Sequence, residues 1–257
     1  MAQNKKYKKL PLKDLLAILW RSFFIQTGWN FKSMISIGFC FALMPVAKKI
    51  CANPEELNGF LKRHVGFFNS HPYFASYAIG AVTRLEEERK QIHAPSEEVI
   101  DKFKNALIGP LGAIGDQCCW FVMRPASLIV GLTGVAFSQA IQTKILFLLL
   151  TFILYNIPHI YIRVKGILDG YGYGIDVYKK IRIDNYRRFI QSFKSLGVLG
   201  IGILFTYTIY QAYLLHWKVS LMFVLTLAIG LILRLKRKMF FTPVLVSMVV
   251  AIIVGII

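Results

Sequence analysis

The sequence predicts an all-α integral membrane protein, and two observations carry that prediction. Of its 257 residues, 56% are apolar and only 17% are charged, whereas about a quarter of the residues in a typical soluble protein are charged. The charges also form short clusters between long apolar runs, as expected of bilayer segments and their loops. We expect an amphipathic N-terminal helix, broken or re-entrant helices in the first half, and several transmembrane helices in the second half.

The net charge of +18 does not predict a nucleic-acid partner. A nucleic-acid binder gathers its lysines and arginines on one solvated face. Here they stand beside apolar runs of near-membrane length, which is typical of cytoplasmic loops and makes the lipid bilayer the expected partner. The four cysteines lack the spacing of a zinc site, so we expect neither a metal nor a cofactor. The cysteines are Cys40, Cys51, Cys118 and Cys119.

Residues 1–32 predict a basic tail followed by an amphipathic helix that lies along a membrane surface or against a partner. Residues 1–10 carry several lysines, and Pro11 stands where proline is tolerated at the start of a helix. Apolar residues then recur at helical spacing. They are Leu12, Leu15, Leu16, Leu19 and Phe23. The alternative is a soluble helix that packs on the protein's own core.

Residues 33–194 form a central region in which we expect broken helices. The apolar run at 33–47 is shorter than the roughly 20 residues that cross a bilayer, which favours a re-entrant or protein-buried segment. Residues 48–104 are more polar, and three turn signals divide them. Those signals are Asn53-Pro54, Asn69-Ser70-His71-Pro72 and Ala94-Pro95-Ser96, in which Ser96 can cap the next helix.

The strongest candidate site is the glycine-rich segment Gly109–Gly115 with the residues that follow it. Its three glycines and one proline predict a broken helix, which at membrane depth is tolerated only where it lines a cavity or is buried in protein. The break would present Asp116, a carboxylate in an apolar stretch and therefore a functional candidate. Arg124 lies eight residues on, beyond Trp120, within reach as a partner. The alternative is a structural Asp116–Arg124 pair that closes a loop.

A second candidate site combines Asn69 and His71, which follow two phenylalanines. Their side chains offer the hydrogen-bond donors and acceptors that hold a sugar beside an aromatic ring. The same residues are also a good turn signal with no further function. Glu87 lies in an acidic stretch that would, taken alone, be a solvated helix face.

Residues 195–257 predict the C-terminal transmembrane helices, with apolar runs at 196–215, 219–233 and 239–257. The basic clusters at 179–188 and at 234–238 (RLKRK) belong in the cytoplasm by the positive-inside rule. The N-terminus is then cytoplasmic and the C-terminus faces outward. The run 145–162 would accordingly enter the cytoplasm at Arg163.

These motifs, in this order, resemble the IID component of the mannose/fructose/sorbose family of the sugar phosphotransferase system. The resemblance extends over about 160 residues, although the connection at 215–219 is short where many members carry a longer polar stretch. The matching elements are Arg21-Ser22, Gln26, Trp29-Asn30-Phe31, Gly38-Phe39-Cys40-Phe41, Phe67-Phe68-Asn69, His71-Pro72, Leu85-Glu86-Glu87, Gly109-Pro110-Leu111, Gly115-Asp116, Trp120, Arg124-Pro125, Gly170-Tyr171 and Gly174-Ile175-Asp176.

The resemblance implies a subunit of the bacterial inner membrane that forms a hexose pathway with a IIC membrane partner. A soluble IIA–IIB phosphocarrier would phosphorylate the hexose, and the IID chain would hold no phosphorylated or catalytic residue. A higher oligomer of IIC–IID pairs is implied too. Asn69, His71, Glu87 and Asp116 then lie near the sugar path or the IIC contact, and a structural or partner role falls to Gly109, Gly115, Trp120 and Arg124. The alternative is a membrane scaffold or receptor-like protein that does not transport.

Overall fold

The computed structural model describes residues 10–215 together with residues 217, 221, 224, 225, 228 and 232. The predicted cytoplasmic cluster RLKRK and the apolar run 239–257 lie outside the described residues. Within them, helices are joined by turns and two isolated β-bridges. The α-helices are α1 (Leu12–Ser22), α2 (Ser36–Ile50), α3 (Pro54–Val65), α4 (Ala75–Ile92), α5 (Glu97–Gly115), α6 (Arg124–Phe137), α7 (Ile141–Tyr173) and α8 (Arg187–Leu215).

Three helical segments are long and apolar enough to cross a membrane. Each is longer than the roughly 20 residues that a crossing requires, so each also extends beyond the hydrocarbon layer or tilts within it. The segments are Glu97–Phe137, Ile141–Lys179 and Ile183–Leu214. This arrangement confirms the predicted all-α membrane fold. The last segment continues without interruption through residue 195, where we had placed a region boundary.

The turn signals of the polar region act where the sequence placed them. The Asn53 side chain accepts a hydrogen bond from the Glu56 amide at the start of α3. The Ser96 side chain accepts one from the Val99 amide at the start of α5. Each cap satisfies a backbone donor that a helix start would otherwise leave unpaired, so both helix boundaries follow from local sequence.

Helix α2 is buried in protein, as its short apolar run suggested, and α1 packs beside it. The apolar stripe predicted for α1 is divided between two faces. Leu15 and Ile18 are buried, whereas Leu12 and Leu16 are exposed together with Trp20. The helix thus packs one apolar side on the protein core and leaves Leu12, Leu16 and Trp20 exposed on the other, where a membrane surface or a partner can contact them.

Helices α4 and α7 cross with their backbones in contact. A Cβ atom added at Gly80 would lie 2.4 Å from the Ile167 carbonyl oxygen, and one added at Gly170 would lie 2.4 Å from the Tyr77 carbonyl oxygen. Only glycine permits such an approach at these two positions, a device that membrane helices use for close packing. The crossing holds the first turns of α4 against the C-terminal part of α7.

One sequence prediction fails along the membrane helices. The glycine-rich segment does not break its helix: α5 continues to Gly115, and the departure from α geometry is a π-helix over Asp116–Met123 that leads directly into α6. Arg163, where the run 145–162 is predicted to enter the cytoplasm, lies buried inside α7, which continues to Tyr173.

Candidate functional site

The turn before α4 places His71 inside the protein. Backbone hydrogen bonds that join Ile35 and Ser33 to Phe68 hold the preceding segment in place. His71 is 3% exposed, and its Nδ1 accepts a hydrogen bond from the Tyr73 amide at 3.2 Å. Burial, helped by the charge of Arg163, lowers the His71 pKa to about 3. The ring is thus neutral near pH 7, and its proton lies on Nε2 because Nδ1 accepts.

His71 belongs to a buried group that we call the inner cluster: His71, Tyr73, His159 and Arg163. The rings of Tyr73 and His159 are stacked, with their centroids 4.5 Å apart. The Arg163 guanidinium lies 4.9 Å from the centroid of the Tyr73 ring and donates a hydrogen bond to the Ser22 carbonyl oxygen. The cluster therefore joins the end of α1, the turn before α4 and the middle of α7.

The inner cluster holds an unusual share of unpartnered polar atoms. In the described part of the chain, eight buried side-chain nitrogen or oxygen atoms lack a hydrogen-bond partner. Four of them lie here or directly beside it, and they are Ser70 Oγ, His71 Nε2, His159 Nδ1 and Arg163 Nε. Buried polar groups in proteins are nearly always hydrogen-bonded. Such a concentration marks a place where a ligand or a partner could complete the bonding.

An exposed polar stripe lies beside the inner cluster, and we call it the polar face: Asp116, Gln117, Trp120 and Arg124. Trp120 contacts the cluster, since its ring centroid is 5.8 Å from that of His71. The Arg124 guanidinium lies 5.3 Å from the Trp120 ring centroid.

The structure contradicts the predicted pairing of Asp116 with Arg124. Among the ion pairs of the described residues, none joins these two side chains. The eight-residue separation suggested two α-helical turns, but the intervening π-helix has a different number of residues per turn. Arg124 lies over the Trp120 ring instead.

A groove between α6 and α7 continues the polar face toward the inner cluster. Its volume is about 440 Å³, and its lining includes Arg124, Tyr155 and Asn156. The Tyr155 hydroxyl forms a hydrogen bond with the Tyr73 hydroxyl. Tyr155 thus connects this groove, which Arg124 also lines, with Tyr73 of the inner cluster.

The predicted site residues divide into two places. His71 and Asp116 lie close together, because Gly115 packs directly on the His71 side chain and leaves no room for a Cβ atom. Asn69 is exposed two residues before His71. Gly109 has open space around it and serves no packing role of this kind. Glu87 lies apart, about 18 Å along α4 from its first residue at 1.5 Å per residue.

Glu87 belongs to the far end of α4, where buried charges are paired. It is 3% exposed and accepts a hydrogen bond from the Tyr171 hydroxyl at 2.7 Å. Its neighbour Glu86 receives bonds from Arg63 at 2.7 Å and from His64 at 2.8 Å. We call the group of Arg63, His64 and Glu86 the charge network. The predicted solvated face is therefore wrong for both carboxylates.

Electrostatics in the charge network favour an ionised carboxylate beside a neutral imidazole. Burial lowers the pKa of His64, although the hydrogen bond to Glu86 opposes this. Burial raises the pKa of Glu86, but the hydrogen bonds and charges of His64 and Arg63 outweigh it, and the net shift is downward. Arg63 also pairs with Glu97 at 2.8 Å. The ion pairs of the network are thus complete within the chain, although His64 Nδ1 has no hydrogen-bond partner in the part of the chain that the structure describes.

The predicted site residues leave out four members of the site: Tyr73, Tyr155, His159 and Arg163. Three of them lie on α7, where polar side chains are costly unless they face protein or a cavity. The sequence marks His159, and Asn156 near it, as side chains that lipid would not solvate, but it does not assign them to the site. Tyr73 carried no signal, since a tyrosine after a turn is common in any core.

The fold and site define an α-helical membrane protein whose membrane-spanning helices carry an incompletely bonded polar cluster. Residues 9–223 match the family model of the mannose/fructose/sorbose family IID component of the phosphotransferase system. This chain belongs to that family.

Individual relatives agree with the family assignment. The chain is 32% identical over 203 residues to the mannose-specific EIID component of Escherichia coli K12, covering 79% of this chain and 70% of that protein. It is 26% identical over 200 residues to the fructose permease IID component of Bacillus subtilis, covering 78% of this chain and 71% of that protein. A sorbose-specific EIID component of Klebsiella pneumoniae is 28% identical over 199 residues, and the match covers 77% of this chain and 71% of that protein.

Solved structures show the same fold. A cryo-EM structure of the mannose transporter ManYZ in complex with microcin E492 contains a chain with a TM-score of 0.60 and 32% identity. The match covers 77% of this chain and 70% of that one. A second structure, titled only as a membrane protein, has a TM-score of 0.67 and 30% identity, covering 77% and 71%.

Proposed function

We propose that this chain is the IID subunit of a sugar phosphotransferase transporter and that it forms the hexose pathway together with a IIC membrane partner. In this proposal a soluble IIA–IIB phosphocarrier supplies the phosphoryl group at the cytoplasmic face. The IID chain itself binds and positions, and it holds no phosphorylated residue. Family membership supports the proposal, as does the mannose transporter named for the similar solved structure.

The polar face is the observation that carries the partnership. Asp116, Gln117 and Arg124 are exposed within a 41-residue segment long and apolar enough to cross the bilayer. Lipid solvates such groups poorly, so they normally face protein or a water-filled cavity. A IIC subunit seated against this face would cover them, and IIC–IID pairs could then associate into a higher oligomer.

We place the hexose path between the polar face and the inner cluster. His71 Nε2 is a neutral donor without a partner, and Asp116 and Asn69 offer acceptors nearby that can bind sugar hydroxyls. Trp120 supplies an aromatic ring beside them. Glu87 remains a candidate only for a separate part of the path at the far end of α4. The non-transporting scaffold is less consistent with this arrangement, because a scaffold needs no unpartnered polar cluster.

Uptake of labelled hexose, normalised to complex recovered from membranes, tests the proposal. A hydrogen bond to a charged group contributes about 1.5–3 kcal/mol and a neutral one about 0.5–1.5 kcal/mol. Asp116→Asn should therefore impair uptake more than Asn69→Ala, while both variants still reach the membrane. Normal uptake per complex in Asp116→Asn would remove Asp116 from the path. Loss of assembly alone would make it an interface residue.

The proposal also fixes an orientation, with the N-terminus and the connection at 179–188 in the cytoplasm of a bacterial inner membrane. Arg182 in that connection is exposed and can be replaced by cysteine in a variant that lacks the four native cysteines. An impermeant thiol reagent should leave it unlabelled in intact cells and label it in inverted vesicles. Labelling from outside intact cells would reverse the orientation.

A further inference from the structure

A separate cleft lies where α7 leaves the predicted membrane region and the chain enters α8. We call it the lysine cleft, and its volume is about 310 Å³. Its lining is Pro158, Tyr161, Ile162, Lys165, Lys180, Asn185, Tyr186 and Phe189. Ile162 and Tyr186 are buried, whereas Tyr161 is 62% exposed, so the cleft opens to the surroundings of α7.

The lining places an apolar part beside a basic part, in the order expected at a membrane surface. Exposed apolar side chains follow α7 up to Ile160 and Tyr161, and Lys165 stands one turn further on. Aromatic rings at the headgroup level, followed by lysines, are typical of the end of a membrane-spanning helix. Phe189, in the first turn of α8, adds an aromatic ring to the wall of the cleft that faces α7. The cleft therefore straddles the boundary between acyl chains and headgroups.

The charge around the lysine cleft is positive. Residues 164–188 hold six lysines and arginines against three aspartates, an excess of three positive charges. Asp169 pairs with Lys165 at 2.9 Å. The Lys180 amino group lies 4.6 Å from the Tyr173 ring centroid, and no ion pair among the described residues includes Lys180. An anion in the cleft would thus pair with Lys180 without displacing a carboxylate, whereas Lys165 is already paired with Asp169.

We propose that the lysine cleft binds a phospholipid with an anionic headgroup. Its phosphate would lie between Lys165 and Lys180, and its acyl chains would follow the exposed apolar side of α7 past Tyr161. Basic pockets between membrane helices are a known recognition mode for anionic headgroups. The site is distinct from the sugar path, and it requires only that the chain lies in a membrane, so the transport proposal can fail without affecting it.

Native mass spectrometry of the purified full chain, with added phosphatidylglycerol or phosphatidylcholine, tests the proposal. The wild-type chain should retain phosphatidylglycerol in preference to phosphatidylcholine. Each lysine near an anionic lipid contributes on the order of a fivefold preference, so Lys165→Gln/Lys180→Gln should lose the preference by about 25-fold. The matched control is Lys62→Gln/Lys102→Gln, which removes two exposed lysines from α3 and α5 and should keep the preference.

Four outcomes would overturn the assignment. Unchanged selectivity in the Lys165/Lys180 variant is one, and equal losses in both double variants, which would show general surface charge, is another. The third is displacement of bound lipid by free glycerol phosphate at equal concentration, which would make the site one for a soluble phosphate compound. A soluble phosphocarrier that loses affinity for the variant while lipid retention is unchanged would assign the surface to that protein instead. If the double variant does not fold, Lys180→Gln alone should still lose about fivefold.

Discussion

The charge network and the inner cluster are both buried groups of cations and polar rings, yet they differ in how their bonding is completed. In the charge network, Arg63 and His64 share the carboxylate of Glu86, and Arg63 also reaches Glu97. In the inner cluster, Arg163 lies on aromatic rings and a backbone carbonyl, with no carboxylate within ion-pair distance among the described residues.

This difference separates a structural role from a binding role. A charge network whose cations are paired with carboxylates of the same chain holds helices together, so its removal lowers the stability of the fold. A buried cluster with unpartnered donors stabilises the isolated chain less than its burial suggests, since unpaired polar groups are costly. The fold becomes more stable when a partner or ligand supplies the missing hydrogen bonds. Each variant below tests one side of this contrast.

The largest effect is expected from Glu86→Ala. The substitution leaves Arg63 and His64 without their shared carboxylate, and removing one partner of a buried ion pair typically costs about 3–5 kcal/mol. Thermal unfolding of the purified chain in detergent measures the loss. The control is Glu88→Ala, which breaks a half-buried i,i+4 pair with Arg84 and should cost about 1 kcal/mol. Equal effects of the two substitutions would show that the charge network has no special structural weight.

The next largest loss of stability is expected at the close crossing of α4 and α7. Gly80→Ala would push a methyl group into the Ile167 carbonyl oxygen, 2.4 Å away, and overpacking of this kind costs about 1–3 kcal/mol. Gly172→Ala is the matched control on α7, because a Cβ atom there would meet nothing within 4 Å. We expect a lower unfolding midpoint for Gly80→Ala only. A stable Gly80→Ala protein would mean that α4 and α7 can separate freely.

A pH titration of stability probes the buried histidines, His71 in the inner cluster and His64 in the charge network. The His71 pKa is lowered to about 3 in the folded chain and is about 6.5 when unfolded. Only the unfolded chain binds this proton between those values, so the stabilisation is complete above pH 6.5 and is lost as pH falls toward 3. Between pH 7 and 5 the loss should be about 1–2 kcal/mol.

His71→Gln should flatten that pH dependence, because glutamine can still accept the Tyr73 amide bond but does not titrate. His93→Asn, a substitution of the exposed histidine after α4, is the control and should leave the slope as in the wild type. The measurement is the unfolding midpoint of each protein at several pH values. An unchanged slope in His71→Gln would show that another group takes up the proton.

Local signals allowed much of the fold to be predicted, because they act within a few residues. Asn53-Pro54 and Ser96 began helices where expected, and the apolar runs became the long helices. The glycine-rich segment misled, since a helix held by tertiary packing tolerates glycine and proline that would break it in water. Close packing explains one of those glycines: Gly115 gives room to His71, a contact between residues far apart in the chain.

The site was only half predictable for the same reason. His71 and Asp116 were found as polar residues beside turn or glycine signals. Arg163 was predicted only as the point where the run 145–162 enters the cytoplasm, because the positive-inside rule considers its charge and not its contacts. Only the tertiary structure shows that the end of α1 supplies a carbonyl and Phe23 a ring that let it stay buried.

The smallest effect on the isolated chain, and the most direct test of the contrast, is expected from Arg124→Gln. Arg124 is exposed and rests on Trp120 without a carboxylate partner, so its loss should change the unfolding free energy by no more than about 0.5 kcal/mol. If a IIC subunit covers the polar face, the same substitution should lower the amount of IIC that co-purifies from membranes. Lys102→Gln, an exposed change on α5 away from that face, should alter neither quantity. A fall in stability without a fall in recovered IIC would make Arg124 structural, and no change in either would place the partner on another surface.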